Sequence, residues 1–262
     1  MRRLLFPTMR KTTPKKDDRS IVFPIGVAST VPMDTLNGLL HSITTGKKGV
    51  EIGGPSHSGR PVIYKDAALM DNVIFSNNTV WSKHGSAYRY IDDVRIGKVF
   101  INDATDLNTI ASASYDFLFA SHSLEHIANP LKALKEWVRV VKPGGSIILI
   151  LPEKTMTFDH RREHSRFSTL KSQYDKNVGE DDLSTLDEIL ALHDLSKDPP
   201  AGTPEQFKQR SLKNIENRCL HHYVYSPALL QEICQFLDCT FVSTFTRGID
   251  IWFIMQTPCS PS

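Results

Sequence analysis

The stretch that decides the fold runs from Tyr115 to Pro152 and reads YDFLFASHSLEHIANPLKALKEWVRVVKPGGSIILILP. It begins with one apolar run, YDFLFAS, and ends with another, SIILILP, and each has the length of a buried strand. Between them, four apolar residues recur at helical spacing: Leu131, Leu134, Val138 and Val141. This spacing predicts a helix over residues 130–141, which the KPGG segment then ends. A strand, a helix and a second strand in this order indicate a parallel pair joined by a crossover helix.

The same alternation continues on both sides of this stretch. Upstream, three further runs are strand-sized: GVEI, AALMDNVIF and KVFIND. Downstream, SPALLQEICQFLD predicts a helix, and CTFVSTFTRG and DIWFIMQT predict two final strands. Apolar strands that alternate with helices are typical of a parallel sheet covered on both faces. The sequence therefore predicts an α/β protein with a Rossmann-like, doubly wound, mostly parallel sheet of seven strands.

Residues 153–222 break this alternation. The region is rich in charged residues, histidine and proline, and it contains helical pieces such as DDLSTLDEILALHDL. We interpret it as a helical cap inserted into an α/β core that spans residues 31–152 and is completed by residues 223–262. Residues 1–30 are basic and lack the apolar segment of a secretory signal, so they predict a flexible tail, with organelle targeting as the alternative.

The composition limits the partners. The formal net charge of +2 is too close to neutral to predict nucleic acid or an anionic membrane surface as a partner. The longest apolar run is strand-sized and too short to span a bilayer. The four cysteines lack C-x-x-C spacing, which favours reduced thiols over a zinc site or disulfides. We therefore expect a cytoplasmic protein, and the sequence leaves its oligomeric state open.

The glycine-rich loop GVEIGGPSHSGRP, residues 49–61, follows the first predicted strand. Gly54 and Gly59 have the spacing of a phosphate-binding P-loop, but Arg60 and Pro61 replace the lysine and hydroxyl residue that such a loop requires. The dinucleotide fingerprint G-x-G-x-x-G also fails, because proline and serine stand at its second and third glycine positions. The remaining possibility depends on the acid in this loop.

Three acids are predicted at the carboxyl ends of three successive strands: Glu51, Asp71 and Asp103. Asp71 lies about 20 residues after Glu51, where doubly wound nucleotide-binding folds place the acid that binds ribose hydroxyls. Asp103 is placed to accept a hydrogen bond from an exocyclic amine. Each acid alone could be a solvated turn residue, but three at one edge of a sheet favour a ligand there.

The segments VEIGG, INDATDL and Tyr115–Pro152 together resemble the class I S-adenosylmethionine-dependent methyltransferases of the type 11 kind. The resemblance covers residues 48–152 and the C-terminal helix and strands. It implies S-adenosylmethionine as the cofactor, and it implies these contacts: Glu51, Gly53 and Gly54 at the methionine end, Asp71 on the ribose, Asp103 and Ala104 on the adenine, and Ser121 and His122 near the sulfonium.

The loop departs from the family pattern E-x-G-x-G-x-G at two places. Pro55 and His57 stand where the second and third glycines are usual. Proline has no backbone N–H and a fixed φ, so the loop must meet the cofactor differently from its relatives.

The resemblance implies methyl transfer to a small molecule or glycan. A general base is needed only if the acceptor is protonated, as a hydroxyl is. Three histidines are predicted as catalytic residues: His122, His160 and His221. Further candidates are His126, Glu153 and His222. No metal ion is predicted.

The segment HRREH, from His160 to His164, matches the H-x-x-E-H pattern of a class of zinc peptidases. That chemistry needs both histidines on one face of a helix, with Glu163 activating a metal-bound water. A zinc peptidase and a non-catalytic binding protein that retains the fold are therefore the alternatives to a methyltransferase. The arginines of this region could meet an anionic acceptor or form a solvated face: Arg161, Arg162 and Arg166.

Overall fold

The computed structural model of the chain describes residues 33–58, 60–77 and 96–259. The predicted tail, residues 1–30, lies outside the described residues. The strands are β1 (Lys48–Ile52), β2 (Leu69–Ile74), β3 (Ile96–Ile101), β4 (Tyr115–Ser121), β5 (Val141–Pro152), β6 (Thr240–Arg247) and β7 (Asp250–Gln256). The α-helices are α1 (Met33–Thr44), α2 (Pro130–Val140), α3 (Phe167–Asp175), α4 (Leu186–Leu192), α5 (Pro204–Ser211), α6 (Asn214–Asn217) and α7 (Pro227–Phe236). In these described ranges, none of the helices combines the length and the apolar character needed to cross a membrane.

The seven strands form one sheet in the order β3-β2-β1-β4-β5-β7-β6. Strands β1 to β5 pair in parallel, and β7 runs antiparallel between β5 and β6. The predicted Rossmann-like, doubly wound, mostly parallel sheet is therefore confirmed. From β1 the chain proceeds outward to β3, and from β4 it proceeds in the other direction. Doubly wound sheets bind their ligands at such a switch point, beyond the carboxyl ends of the strands.

The crossover helix α2 forms for local reasons that the sequence shows. Asn129 caps it by accepting a hydrogen bond from the backbone N–H of Lys132 at 3.2 Å, and Pro130 fits its first turn because that position needs no N–H. The helix ends at Val140, within one residue of the predicted end. β5 begins at the next residue, Val141, so the KPGG segment lies within this strand and does not itself end the helix. The indole of Trp137 is fully buried between this helix and the sheet.

Apolar side chains cover both faces of the sheet. Successive residues of β4 alternate between the two faces, as strand geometry requires. Leu118 belongs to the core under α2 and α7, whereas Phe117 and Phe119 belong to the core under α1. The central strands are consequently buried on both sides, which explains their continuous apolar sequence.

Residues 153–222, all within the described ranges, form helices α3 to α6 and connecting turns, without a strand. Part of this region encloses a small apolar core of its own: Leu186, Ile189, Ala201, Phe207 and Leu220. The HRREH segment at its start is a turn followed by irregular backbone and not a helix. The one-face geometry that a zinc peptidase requires is therefore absent from His160–His164.

A buried arginine, Arg162, joins the two ends of the cap region. Its guanidinium donates hydrogen bonds to Asp159 Oδ1 at 3.0 Å and to the backbone carbonyl oxygens of His221 and His222 at 2.8 and 3.2 Å. Sequence alone left Arg162 as an acceptor contact or part of a solvated face. Its side chain is only 2% exposed and bonds to protein groups, so it has a structural position instead.

Candidate functional site

A cavity of about 460 Å³ lies beyond the carboxyl ends of β1, β2, β3 and β4. Two groups of residues line it. The strand-end lining consists of residues that end or follow the strands: 52–53, 73–76, 102–104, 122–123, 125–127 and 152. The cap lining consists of Thr157, Phe158, Glu180, Arg218 and His221, and Ile249 adds an apolar contact. The cavity therefore occupies the switch point of the sheet and is roofed by the cap.

Gly53 is the residue at which the backbone turns away from β1. Its φ of 75° is in the left-handed region, and a Cβ there would lie 2.3 Å from Ser123 Oγ. Ser123 in turn donates a hydrogen bond to the carbonyl of Ile52 at 3.0 Å, which holds the two loops together. Only glycine fits this position, and the bare backbone forms part of the cavity wall.

Glu51 and Gly54 lie behind the cavity wall rather than in it. The buried Glu51 carboxylate accepts hydrogen bonds from the Tyr64 hydroxyl and from the backbone N–H of Ser56, the latter at 3.0 Å. A Cβ on Gly54 would lie 2.2 Å from that carboxylate. Both residues shape the loop from within, and neither lines the cavity in which the methionine end of a cofactor was expected.

Asp71 is buried inside the sheet and does not line the cavity. Its carboxylate accepts hydrogen bonds from the Lys98 backbone N–H at 2.7 Å and the Tyr115 hydroxyl at 2.8 Å. Burial raises the pKa of Tyr115, and the Asp71 carboxylate raises it further. Because β2 continues to Ile74, Ser76 and not Asp71 follows the strand at the cavity, so the position of Asp71 gives the predicted ribose contact no support.

Asp103 lies where the sequence predicted an amine-binding acid. It follows β3, lines the cavity and accepts hydrogen bonds from the backbone N–H and hydroxyl of Thr105 at 2.8 and 2.7 Å. Burial alone would raise the pKa of Asp103, but the bonds from Thr105 and the charge of Arg218 lower it below its usual value. Ala104 also lines the cavity, and its carbonyl accepts a hydrogen bond from the Trp137 indole at 3.0 Å.

Arg218 is a cap residue that sequence reasoning missed. It has a left-handed φ of 52°, and its guanidinium bridges Asp103 at 2.9 Å and Glu180 at 3.1 Å. The same group lies 5.1 Å from the ring centroid of Phe75. The bridge connects the end of β3 with the cap across the cavity. No pattern in the sequence signals it, because its three charged groups come from three distant segments.

His122 follows β4, lines the cavity and has a left-handed φ of 48°. Its Nε2 lies 2.8 Å from Asp250 Oδ1, and its Nδ1 lies 3.5 Å from Glu125 Oε1. Burial alone would lower the pKa of His122, but these two carboxylates raise it to about 10. His122 is thus a cation at neutral pH, which does not fit the predicted role of a base. The preceding Ser121 is buried and lies outside the lining.

A cluster of Glu125, His126 and His221, called here the Glu-His-His cluster, joins the two linings. One donor atom from each residue lies within 4.8 Å of the other two. His221 Nδ1 lies 2.6 Å from Asp159 Oδ2, and His126 Nδ1 lies 3.1 Å from the carbonyl oxygen of Leu220. Burial and the neighbouring His221 lower the pKa of His126 to about 4.

The Glu125 carboxylate is fully enclosed in this cluster. Its residue is 1% exposed, and among the described residues neither oxygen has a hydrogen-bond partner. Burial alone would raise the pKa of Glu125, but His122 and the other histidines around it lower the pKa instead. Sequence reasoning assigned no ligand role to Glu125, because an LEH segment is equally consistent with the start of a helix.

The other candidate residues lie outside the cavity lining. His160 bonds to Asp194 at 2.8 Å and lies away from the cavity, so its position does not support the predicted catalytic role. His222 is buried against Asn214, and burial lowers its pKa to about 3. Glu153 accepts a hydrogen bond from the Thr155 backbone N–H and so caps a turn after β5. Of the three predicted catalytic histidines, only His122 and His221 reach the cavity.

Comparisons with known proteins agree with this architecture. The family described as a methyltransferase domain matches residues 84–149, a region that holds β3, β4, α2 and most of β5. Among curated proteins, none matches the sequence.

The solved structures that this chain resembles are distant from it in sequence. The complex of the Haloferax volcanii Trm112 methyltransferase activator with a methyltransferase matches with a TM-score of 0.50 and 11% identity, over 86% of this chain and 89% of that one. A methyltransferase dependent on S-adenosylmethionine from Methanosarcina mazei matches with a TM-score of 0.48 and 15% sequence identity. The match covers 85% of this chain and 98% of that one. The trans-methyltransferase CalH, in complex with S-adenosylhomocysteine, matches with a TM-score of 0.49 and 11% sequence identity. The match covers 85% of this chain and 54% of that one.

Proposed function

We propose that this chain, a class I S-adenosylmethionine-dependent methyltransferase, methylates a hydroxyl group of a small molecule or glycan. The observation that supports the proposal is that residues suited to the cofactor and residues suited to an acceptor line the same cavity. Its strand-end lining offers a glycine turn and an ionised acid after β3, and the Glu-His-His cluster borders the same space. A cofactor site and a site for a protonated acceptor would thus be adjacent.

The strand-end lining fits the cofactor. Gly53 lets bare backbone come against a ligand, and Asp103 offers a carboxylate to an amine beside the small side chain of Ala104. The cavity of about 460 Å³ falls within the range of ~300–1,000 Å³ usual for small-molecule sites. When bound, S-adenosylmethionine supplies a methyl group already activated by a positively charged sulfur.

The residues of the chain have two further tasks, to orient the acceptor and to draw the proton from its nucleophile. Phe158, Pro152 and Ile249 supply apolar walls that would hold a carbon skeleton and exclude water. The Glu-His-His cluster supplies the polar groups at which a hydroxyl would bind. A hydroxyl needs such groups more than a neutral amine does, because it is a poor nucleophile until its proton is drawn away.

Binding of S-adenosylhomocysteine tests the cofactor site. We expect a saturating concentration to raise the melting temperature of the purified chain, since a ligand that binds only the folded state stabilises it. Isothermal titration calorimetry on the same sample gives the stoichiometry. An unchanged melting temperature with no heat of binding would remove the cofactor site and with it the enzyme.

Transfer is tested with S-adenosylmethionine labelled in its methyl group and offered with fractionated cell extract. We expect label in a small-molecule or glycan fraction, in a product that resists the base hydrolysis that cleaves methyl esters. His221→Gln should lose most of this transfer and still bind S-adenosylhomocysteine, whereas His160→Gln, outside the cavity, serves as the matched control. Cofactor binding without any labelled product would favour the non-catalytic binding protein.

A further inference from the structure

The Glu-His-His cluster has the composition of a transition-metal site. Two imidazoles and one carboxylate are a donor set that binds Zn²⁺, Fe²⁺ and related ions, with positions left open for a water or substrate. One donor atom from each of Glu125, His126 and His221 lies within 4.8 Å of the others. All three residues line the cavity, so an ion held here would face its interior.

The outer partners of the two histidines are those typical of metal ligands. His221 Nδ1 lies 2.6 Å from a carboxylate oxygen of Asp159, and His126 Nδ1 lies 3.1 Å from the Leu220 carbonyl. Histidines that bind metals almost always donate their other ring N–H to a carboxylate or a backbone carbonyl. These partners hold the proton on Nδ1 of each ring, so Nε2 is the nitrogen with which each histidine would bind the ion.

The environment of Glu125 calls for a positive charge. Its carboxylate is enclosed and accepts no hydrogen bond from the described residues. The neighbouring cation, His122, lies 3.5 Å away and makes its shorter contact, at 2.8 Å, with Asp250. An enclosed carboxylate without donors is unfavourable unless a cation compensates it. A metal ion at the centre of the cluster would meet this need.

We propose that the Glu-His-His cluster binds one divalent transition-metal ion, with Zn²⁺ as the best match to its donor set. Ligand bonds of ~2.1 Å in tetrahedral geometry place donor atoms ~3.4 Å apart, so the three donors close in on the ion when it binds. Mg²⁺ and Ca²⁺ prefer oxygen ligands and fit poorly. Binding of the ion is independent of the acceptor, and only its use to hold an acceptor hydroxyl rests on the proposed function.

The test is metal binding by the full-length chain, stripped with a chelator and dialysed. Calorimetric titration with Zn²⁺ should give one ion per chain, and Co²⁺ should give the visible absorption of a four- or five-coordinate site. Glu125→Gln, His126→Gln and His221→Gln should each weaken Zn²⁺ binding at least ~100-fold, and Asp159→Asn should weaken it ~10–100-fold through the orientation of His221. Glu125→Asp, which retains a carboxylate, should keep the ion.

His160→Gln is the matched control because it removes the first histidine of the H-x-x-E-H pattern without touching the cluster. It should bind Zn²⁺ as the unmodified chain does. An unmodified chain that takes up no ion, or an ion lost with His160→Gln and kept with His221→Gln, overturns the proposal. Circular dichroism on each variant separates lost ligands from lost folding.

The two proposals fail separately. If S-adenosylhomocysteine stabilises the chain but Zn²⁺ does not bind, the proposed function stands and the metal site is wrong. If Zn²⁺ binds to the cluster but S-adenosylhomocysteine has no effect, the metal site stands and the proposed function is wrong.

Discussion

The two linings of the cavity are built from different kinds of structure: the ends of sheet strands in one and irregular segments of the cap in the other. The strand-end lining follows from the sheet, since parallel strands that point the same way deliver the residues after them to one edge. The cap lining depends on side chains that lock irregular segments together, above all Arg162 and Arg218. The strand-end lining is therefore secured by backbone pairing, and the cap lining by a few ion pairs and arginine hydrogen bonds. We expect substitutions to damage the two linings in different ways.

The largest effect is expected at the base of the cap. Arg162→Leu leaves the enclosed Asp159 without its guanidinium and removes two bonds to backbone carbonyls. Breaking a buried pair in this way costs about 3–5 kcal/mol of folding free energy. Urea unfolding measures it, with Arg161→Leu as the control, because Arg161 is half exposed and should change stability by ~0.5 kcal/mol or less. Equal losses in the two variants would show that the contacts of Arg162 are not what holds the cap.

The next effect is expected in the strand-end lining. Gly53→Ala forces a side chain into a left-handed backbone position and against Ser123 Oγ, which should cost about 2–4 kcal/mol and weaken S-adenosylhomocysteine binding. Gly38→Ala is the control, since Gly38 lies on α1 with nothing within 4 Å of the added Cβ. It should stabilise the chain by ~0.5–1 kcal/mol. Thermal unfolding with and without ligand compares the two.

Asp71 and Asp103 should separate stability from binding. Asp71→Asn weakens bonds inside the sheet and should lower the free energy of unfolding by about 1–3 kcal/mol, without changing ligand affinity in the folded chain. Chemical unfolding and calorimetric titration with S-adenosylhomocysteine measure the two quantities. A tenfold loss of affinity in this variant would restore Asp71 to the site.

Asp103→Asn is expected to have the smallest effect on the fold. It removes the charge offered to a ligand amine while keeping one oxygen for Thr105, so S-adenosylhomocysteine affinity should fall about tenfold, or ~1.4 kcal/mol. The melting temperature without ligand should fall by only a few degrees, because Arg218 loses Asp103 as an ionic partner and keeps Glu180. Calorimetric titration checks the affinity, and an unchanged value would take Asp103 out of the cofactor site.

The position of the strand-end lining was predictable from sequence, and four of the eight residues predicted to bind the cofactor reach it: Gly53, Asp103, Ala104 and His122. Of the cap lining, only His221 was predicted. Apolar runs and a periodic helix predicted the sheet, and Asp103 with Ala104 was found because both follow a recognisable strand. The prediction for Asp71 used its spacing from Glu51, which does not distinguish a residue that follows a strand from one inside it. In the structure β2 continues three residues beyond Asp71. Arg218 and the Glu-His-His cluster were not predicted as a unit, since their members meet only after irregular segments fold.

The hydrogen bonds of Arg162 hold the start and the end of the cap against each other. A segment whose two ends are fixed by hydrogen bonds can change in length and sequence between those ends without displacing either end. His221 lies directly at the second of these ends, beside the cavity. Relatives of this chain could therefore differ in the sequence of the cap, and with it in the substrate they select, while keeping a histidine at the position of His221.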